Sequence, residues 1–153
     1  MSYFLWLSDA HYDPYYGTNC AFSSGYYGDV FCNDTDLPIG QYGCDSPAAL
    51  VQDALDFARE VATQPEFVVV SGDSVRHGVD KLYCDEEFRE GGEGHDDASV
   101  IKAAHADFHP KAMKKAAEIA GGLAEMIAEA FPETEVILAL GNNDVVPVST
   151  GLS

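Results

Sequence analysis

Three stretches of the chain are apolar without interruption: Tyr3-Phe4-Leu5-Trp6-Leu7, Phe67-Val68-Val69-Val70 and Val136-Ile137-Leu138-Ala139-Leu140. Runs this short, without the in-out alternation of a half-exposed strand, predict strands buried on both faces, as in parallel sheets. Parallel strands need crossovers, and the sequence between these runs has the helical period. Ser46 and Pro47 read as an N-cap followed by proline at the first helical position. Val51, Leu55, Ala58 and Val61 then recur at helical spacing, and the helix is predicted to end near Pro65. A second helical region spans about Ala98 to Ala130, with a break expected where Pro110 follows His109. Its later half puts Ala116, Ile119, Leu123, Met126 or Ile127, and Ala130 on one face, and Phe131-Pro132 stops it. The order strand, loop, helix, strand, loop, helix, strand is that of an α/β chain, with right-handed crossovers expected.

Two long irregular segments interrupt this order: a cysteine-containing insert at about 10–45, and a second segment that holds an acidic, glycine-rich loop at about 85–97. Loops of this length are functional or disordered more often than they are plain connections. At 153 residues, 46 % of them hydrophobic, the chain reads as one globular domain. Its apolar runs are too short to span a membrane. A formal net charge of −18 argues against nucleic-acid partners and anionic membrane surfaces, while carboxylates are also ligands for divalent metals. Cys20, Cys32, Cys44 and Cys84 fit no short Cys-x-x-Cys knuckle and read as disulfide candidates, above all the first three. Asn33-Asp34-Thr35 is an N-glycosylation acceptor pattern. Both features point to a lumenal (vacuolar or lysosomal) or extracellular setting. No signal peptide is read at the start of this chain, which has neither a basic n-region nor a cleavage site there.

All three predicted strands run into polar residues at the same end: Ser8-Asp9-Ala10-His11, Ser71-Gly72-Asp73 and Gly141-Asn142-Asn143-Asp144. Ligands of open α/β sheets bind at the carboxyl ends of the strands, so these residues are expected to converge. Asp9 and His11, one residue apart in an extended segment, would face the same side and reach one ion. A carboxylate with an imidazole suits zinc, manganese or iron. Asp73 can bridge two ions, and Asn142 adds a neutral carbonyl ligand. Two divalent ions about 4 Å apart would clamp a phosphate and activate a water.

The stretches "SDAHYDPYY", "SGDSVRHG" and "LGNNDVVP" occur in the order of the Asp-x-His, Gly-Asp and Gly-Asn motifs, and in this the chain resembles the calcineurin-like metallophosphoesterases. Through "HYDPYYG", "YGCDSPAALV" and the histidine four residues after the second aspartate, it is most similar to the acid-sphingomyelinase-like and endopolyphosphatase branch. The resemblance implies a four-layer α/β/β/α sandwich of which residues 1–153 are the N-terminal portion. It implies two divalent ions, zinc foremost, held by Asp9, His11, Asp73 and Asn142. His77 then lies near the scissile phosphate, where, with Arg76 beside it, it holds phosphate oxygens or protonates the leaving oxygen. Asn143 stands where most of the superfamily has a histidine, and an amide delivers no proton near neutral pH. The implied pairing of Cys44 is with Cys20 or Cys32, and Cys84 is unassigned.

The implied reaction is hydrolysis of a phosphodiester or phosphoanhydride in a sphingomyelin-like lipid, a nucleotide or polyphosphate, by a water that two metals activate. The superfamily's further histidine ligands, including a Gly-His-x-His, have no counterpart after His109. His105 and His109 read as helix-surface residues that match no family position. The expectation is therefore a fragment or degenerate copy with weak activity or none, whose sheet keeps an uncovered side. The alternative is a non-catalytic, acidic, disulfide-stapled domain that binds a metal or a partner.

Overall fold

A computed structural model describes residues 2–18, 22–25, 28–79 and 98–144. Cys20, Cys84, the acidic stretch 85–97 and the side chains of His105 and His109 lie outside the described residues. The predicted runs form a three-stranded parallel sheet of β1 (Leu5–Leu7), β6 (Phe67–Val70) and β7 (Glu135–Leu138), with β6 in the middle. The register aligns Leu5 with Val68 and Val136, and Leu7 with Val70 and Leu138. Between the first two strands lie β2 (Tyr12–Asp13), the antiparallel hairpin of β3 (Phe22–Gly25) and β4 (Gly28–Phe31), β5 (Ser46–Pro47) and helix α1 (Ala48–Val61). Helix α2 (Ala98–Ala130) leads into β7. The insert at 10–45 therefore carries strands of its own, and a Cys32–Cys44 disulfide closes its second half. Asn33, next to that bridge, is exposed.

Alternation on the sheet sorts the side chains. Leu5, Leu7, Val68, Val70 and Val136 turn toward the helices. There they meet Val51, Leu55 and Ala58 of α1 and Ala116, Ile119, Leu123, Ile127 and Ala130 of α2. Most periodic positions read from the sequence thus build the core, whereas Val61, at the C-terminal end of α1, is 65 % exposed. The other face is not covered as the apolar runs predict: Phe4, Trp6 and Ile137 are 54, 66 and 46 % exposed, and Phe4 stacks on Phe67 at 5.1 Å.

Two helix boundaries differ from expectation. Ser46 is not the N-cap of α1, because its N–H donates to the His11 carbonyl (3.0 Å) and commits it to β5 beside β2. Pro47 takes the cap position with no side-chain hydrogen bond, having no oxygen to offer. Helix α2 does not break at Pro110 but runs through it. A proline inside a helix removes one hydrogen bond and can kink the axis without ending the element.

Candidate functional site

The Ser71 N–H donates to the Leu7 carbonyl at 3.0 Å and the Ala139 N–H to the Val70 carbonyl at 2.8 Å, so the ladder reaches the carboxyl ends of the strands. Past that point the β1 and β6 loops stay zipped together. The N–H groups of Asp9, His11 and Tyr12 donate to the carbonyls of Gly72, Asp73 and Ser74 at 3.2, 2.9 and 2.8 Å. This pairing holds Asp9, His11 and Asp73 at φ of 54°, 42° and 51°, which makes them the non-glycine residues with positive φ among the described residues. Left-handed conformations are uncommon for side chains of this size, and they persist where the surroundings over-determine them. Asp9 and His11 are therefore not two positions of an extended strand, as their spacing predicts. The turn still brings His11 Nε2 within 4.0 Å of Asp9 Oδ1.

Two glycines let the loops close. Gly72 has φ of 100°, and a Cβ there would run into the backbone of Gly141; a Cβ on Gly141 would strike the backbone and carboxylate of Asp73. Backbone lies against backbone at this point, which only glycine permits on either side. Asp144 fixes the third loop by accepting the Gly141 N–H at Oδ2 (2.7 Å) and the Val75 N–H at Oδ1 (2.9 Å). The Asn143 N–H donates to Asp73 Oδ1 at 3.0 Å. With its amide oriented to satisfy its neighbours, Asn142 donates to Asp73 Oδ2 at 3.2 Å. The Asn143 N–H, with the nearby His11 ring in support, holds the Asp73 carboxyl below its ordinary range against a smaller opposing effect of burial.

Asp9, His11 and Asp73 offer ligand atoms that all lie within 4.8 Å of one another. His11 Nδ1 is buried and has no hydrogen-bond partner, a condition that suits an imidazole nitrogen to a cation. The Asn142 side chain lies against Asp73 with its amide nitrogen toward Oδ2. The oxygen and nitrogen donor set of Asp9, His11 and Asp73 thus comes from two separate strand ends, and it fits a divalent metal.

His77 packs against His11, the two rings stacked with centroids 4.2 Å apart. Its Nδ1 lies 2.7 Å from Asp45 Oδ1, and its backbone N–H donates to Asp45 Oδ2 at 2.9 Å. Arg76 does not extend toward a phosphate as expected. Its side chain is fully buried, with Nη1 3.2 and 3.1 Å from the two oxygens of Asp13 and Nε donating to the His77 carbonyl at 3.0 Å. Burial pushes the Asp13 carboxyl up, and the guanidinium and the Tyr15 N–H pull it back. Arg76 is a strut beneath the site, and the reading of it as a phosphate ligand is corrected.

Asp13, Asp45 and Asp144 are the functional neighbours that sequence reasoning missed. Each lies within a quoted motif ("HYDPYY", "YGCDSP" and "GNND"), so the signal was present as pattern without chemistry.

No family model matches the chain. It is 31 % identical to the acid sphingomyelinase-like phosphodiesterase 3b of Homo sapiens over 110 residues, covering 72 % of this chain and 18 % of that protein. It is 27 % identical to the endopolyphosphatase of Schizosaccharomyces pombe over 164 residues, covering 94 % and 23 %. It is 26 % identical to sphingomyelin phosphodiesterase A of Dictyostelium discoideum over 151 residues, covering 96 % and 20 %. Over most of its length the chain is thus similar, at modest identity, to proteins named acid sphingomyelinase-like phosphodiesterases and endopolyphosphatases. It spans about a fifth of the length of the curated relatives it matches. No helix among the described residues is long and apolar enough to cross a membrane.

Proposed function

We propose that the chain is the N-terminal part of a metal-dependent phosphoesterase that hydrolyses a phosphodiester or a phosphoanhydride. The substrate class is a sphingomyelin-like lipid headgroup, a nucleotide or polyphosphate. The observation that carries this reading is the convergence of Asp9, His11 and Asp73 to within 4.8 Å from separate strand ends, with Asn142 against Asp73. Divalent ions held by these residues, zinc foremost, would supply charge to phosphate oxygens and acidify a water. The chain's own residues do the rest. Asp73 and Asp9 provide hard oxygen ligands, His11 a nitrogen, and the strained loops hold all three in place ahead of binding. His77, exposed above His11, is the group that can hand a proton to a leaving oxygen, whereas Asn143 can only hydrogen-bond a phosphate oxygen.

The bare sheet face supports the view that these residues are one portion of a larger sandwich, as does the small share of the relatives' length that they match. The Cys32–Cys44 bridge supports an oxidising, lumenal or extracellular setting. The short span also favours a second reading, a metal-binding domain without turnover. The two readings part in a screen with a chromogenic phosphodiester under zinc, manganese and iron. For the metal site itself, calorimetric titration of zinc into wild type and Asp73→Ala is the test. Loss of a shared ligand should weaken binding by at least about tenfold, the scale seen even for outer-shell partners. Equal affinities would remove the strand-end site from consideration.

A further inference from the structure

The Asp45 carboxylate is part of no ligand set in the proposed function, yet both of its oxygens are engaged beside the site. Its side chain is 9 % exposed, whereas the side chain of His77 is 59 % exposed. Both Asp45 oxygens are directed at one residue: Oδ2 accepts the His77 backbone N–H at 2.9 Å and Oδ1 meets its Nδ1 at 2.7 Å. An exposed histidine on a loop ordinarily samples several rotamers. Here backbone and ring are held by the same carboxylate, and the ring is packed on His11 at 4.2 Å.

Asp45 is itself fixed from both sides. Cys44 before it is tied to Cys32, and Ser46 after it is in β5, with its N–H on the His11 carbonyl. The 10–45 insert thus ends in a rigid segment that delivers one carboxylate to His77.

We propose that Asp45 is a positioning residue for His77: it accepts the Nδ1 proton, fixes the tautomer, and leaves Nε2 as the nitrogen that faces substrate. This rests on the reading of His77 as the proton donor to the leaving oxygen. A carboxylate that takes the Nδ1–H orients the ring and disfavours the Nε2–H tautomer that a solvated imidazole prefers. The proton given to the leaving oxygen is then the Nε2 proton of the doubly protonated ring, which returns to the Nδ1–H form. The competing assignment is a metal held by His11, Asp45 and His77, whose ligand atoms lie within 4.8 Å of one another. Held through Nδ1, such a metal makes the opposite demand, since that nitrogen could not then carry a proton.

The two assignments separate in a long-range proton–nitrogen spectrum of the 15N-labelled full chain at about pH 8, where an unperturbed imidazole is neutral. The His77 signals are identified by their loss in His77→Gln. Positioning by Asp45 requires a protonated Nδ1 and an unprotonated Nε2 in wild type. Asp45→Ala should move His77 toward the Nε2–H form, and Asp45→Glu should recover part of the wild-type pattern while leaving the backbone amide spectrum dispersed. An unprotonated Nδ1 in wild type overturns the proposal without any variant having to fold, and so does a His77 pattern unchanged in Asp45→Ala. Zinc added to wild type provides a further arm. If His77 Nδ1 takes the metal, the proposal fails and the competing assignment stands. If only His11 responds, the proposal holds alongside the strand-end site. If neither histidine responds while His77 keeps its Nδ1 proton, the metal-dependent function fails and the Asp45–His77 geometry survives.

Discussion

Replacing glycine by alanine should have opposite effects at two positions of this chain, and the structure sets both magnitudes. At Gly72, φ is +100°, and a Cβ would lie 2.7 Å from Gly141 Cα and 3.0 Å from the carbonyl carbon of Leu140. The obstacle is backbone, which cannot turn away as the end of a flexible side chain can. Positive-φ strain on an L-residue amounts to about 1–2 kcal/mol, and overpacking against rigid neighbours to about 1–3 kcal/mol. Gly72→Ala should therefore destabilise the fold by about 2–5 kcal/mol, a large part of the margin of a domain this size. Since 1 kcal/mol moves the midpoint by about 2–4 °C at this length, melting should fall by at least about 4 °C. At Gly121, in α2, a Cβ would meet nothing within 4 Å, and alanine should gain about 1 kcal/mol of helix propensity. Its midpoint should rise by about 2–4 °C. Thermal unfolding followed by circular dichroism in chelator, with urea titration as a second measure, reads both. Gly72→Ala melting with wild type would refute the close approach of the two loops, and a destabilised Gly121→Ala would place unseen packing against that helix face.

Two further outcomes follow from the charges of the site. Arg76→Met leaves Asp13 buried without its partner and should destabilise by about 3–5 kcal/mol in urea unfolding, whereas the double variant Arg76→Met/Asp13→Leu should recover most of that loss; a harmless Arg76→Met would mean that the side chain is not the buried strut described. Asp73 is held below the usual carboxylate range in the folded chain, so its contribution to stability is present above the unfolded value of about 3.9 and is lost as pH falls through the lower folded one. In chelator, the stability gap between wild type and Asp73→Asn should therefore narrow below about pH 4. A gap constant across that range would contradict the hydrogen bond from Asn143.

Periodicity made the core legible. Val51, Leu55 and Ala58 of α1, and Ala116 to Ala130 of α2, are buried where their spacing puts them, because a 3.6-residue repeat admits one covered face. The strand runs were legible as strands, but not their burial, since an apolar run cannot state what covers its second face. Of the site, the residue types at the strand ends could be read, but not the backbone that presents them. Spacing described Asp9 and His11 as extended, and the left-handed turns arise from pairing with a loop more than 60 residues away in sequence. Arg76 was misread for the same kind of reason: its partner Asp13 is equally remote, and sequence does not reveal which of two neighbouring basic residues points inward.

The uncovered sheet face gives the chain's acidity a meaning beyond the exclusion of partners. Phe4, Trp6 and Ile137 form an open apolar surface, at 54, 66 and 46 % exposure, on a molecule whose net charge is −18. Two copies approaching through these faces would release water from apolar carbon but would bring like charges together. That repulsion reaches only about 8 Å at physiological ionic strength. Colloidal stability of the isolated chain is then a contest between a short-ranged attraction and a screened repulsion. High salt or acid, by weakening the second and not the first, should favour self-association through the bare face.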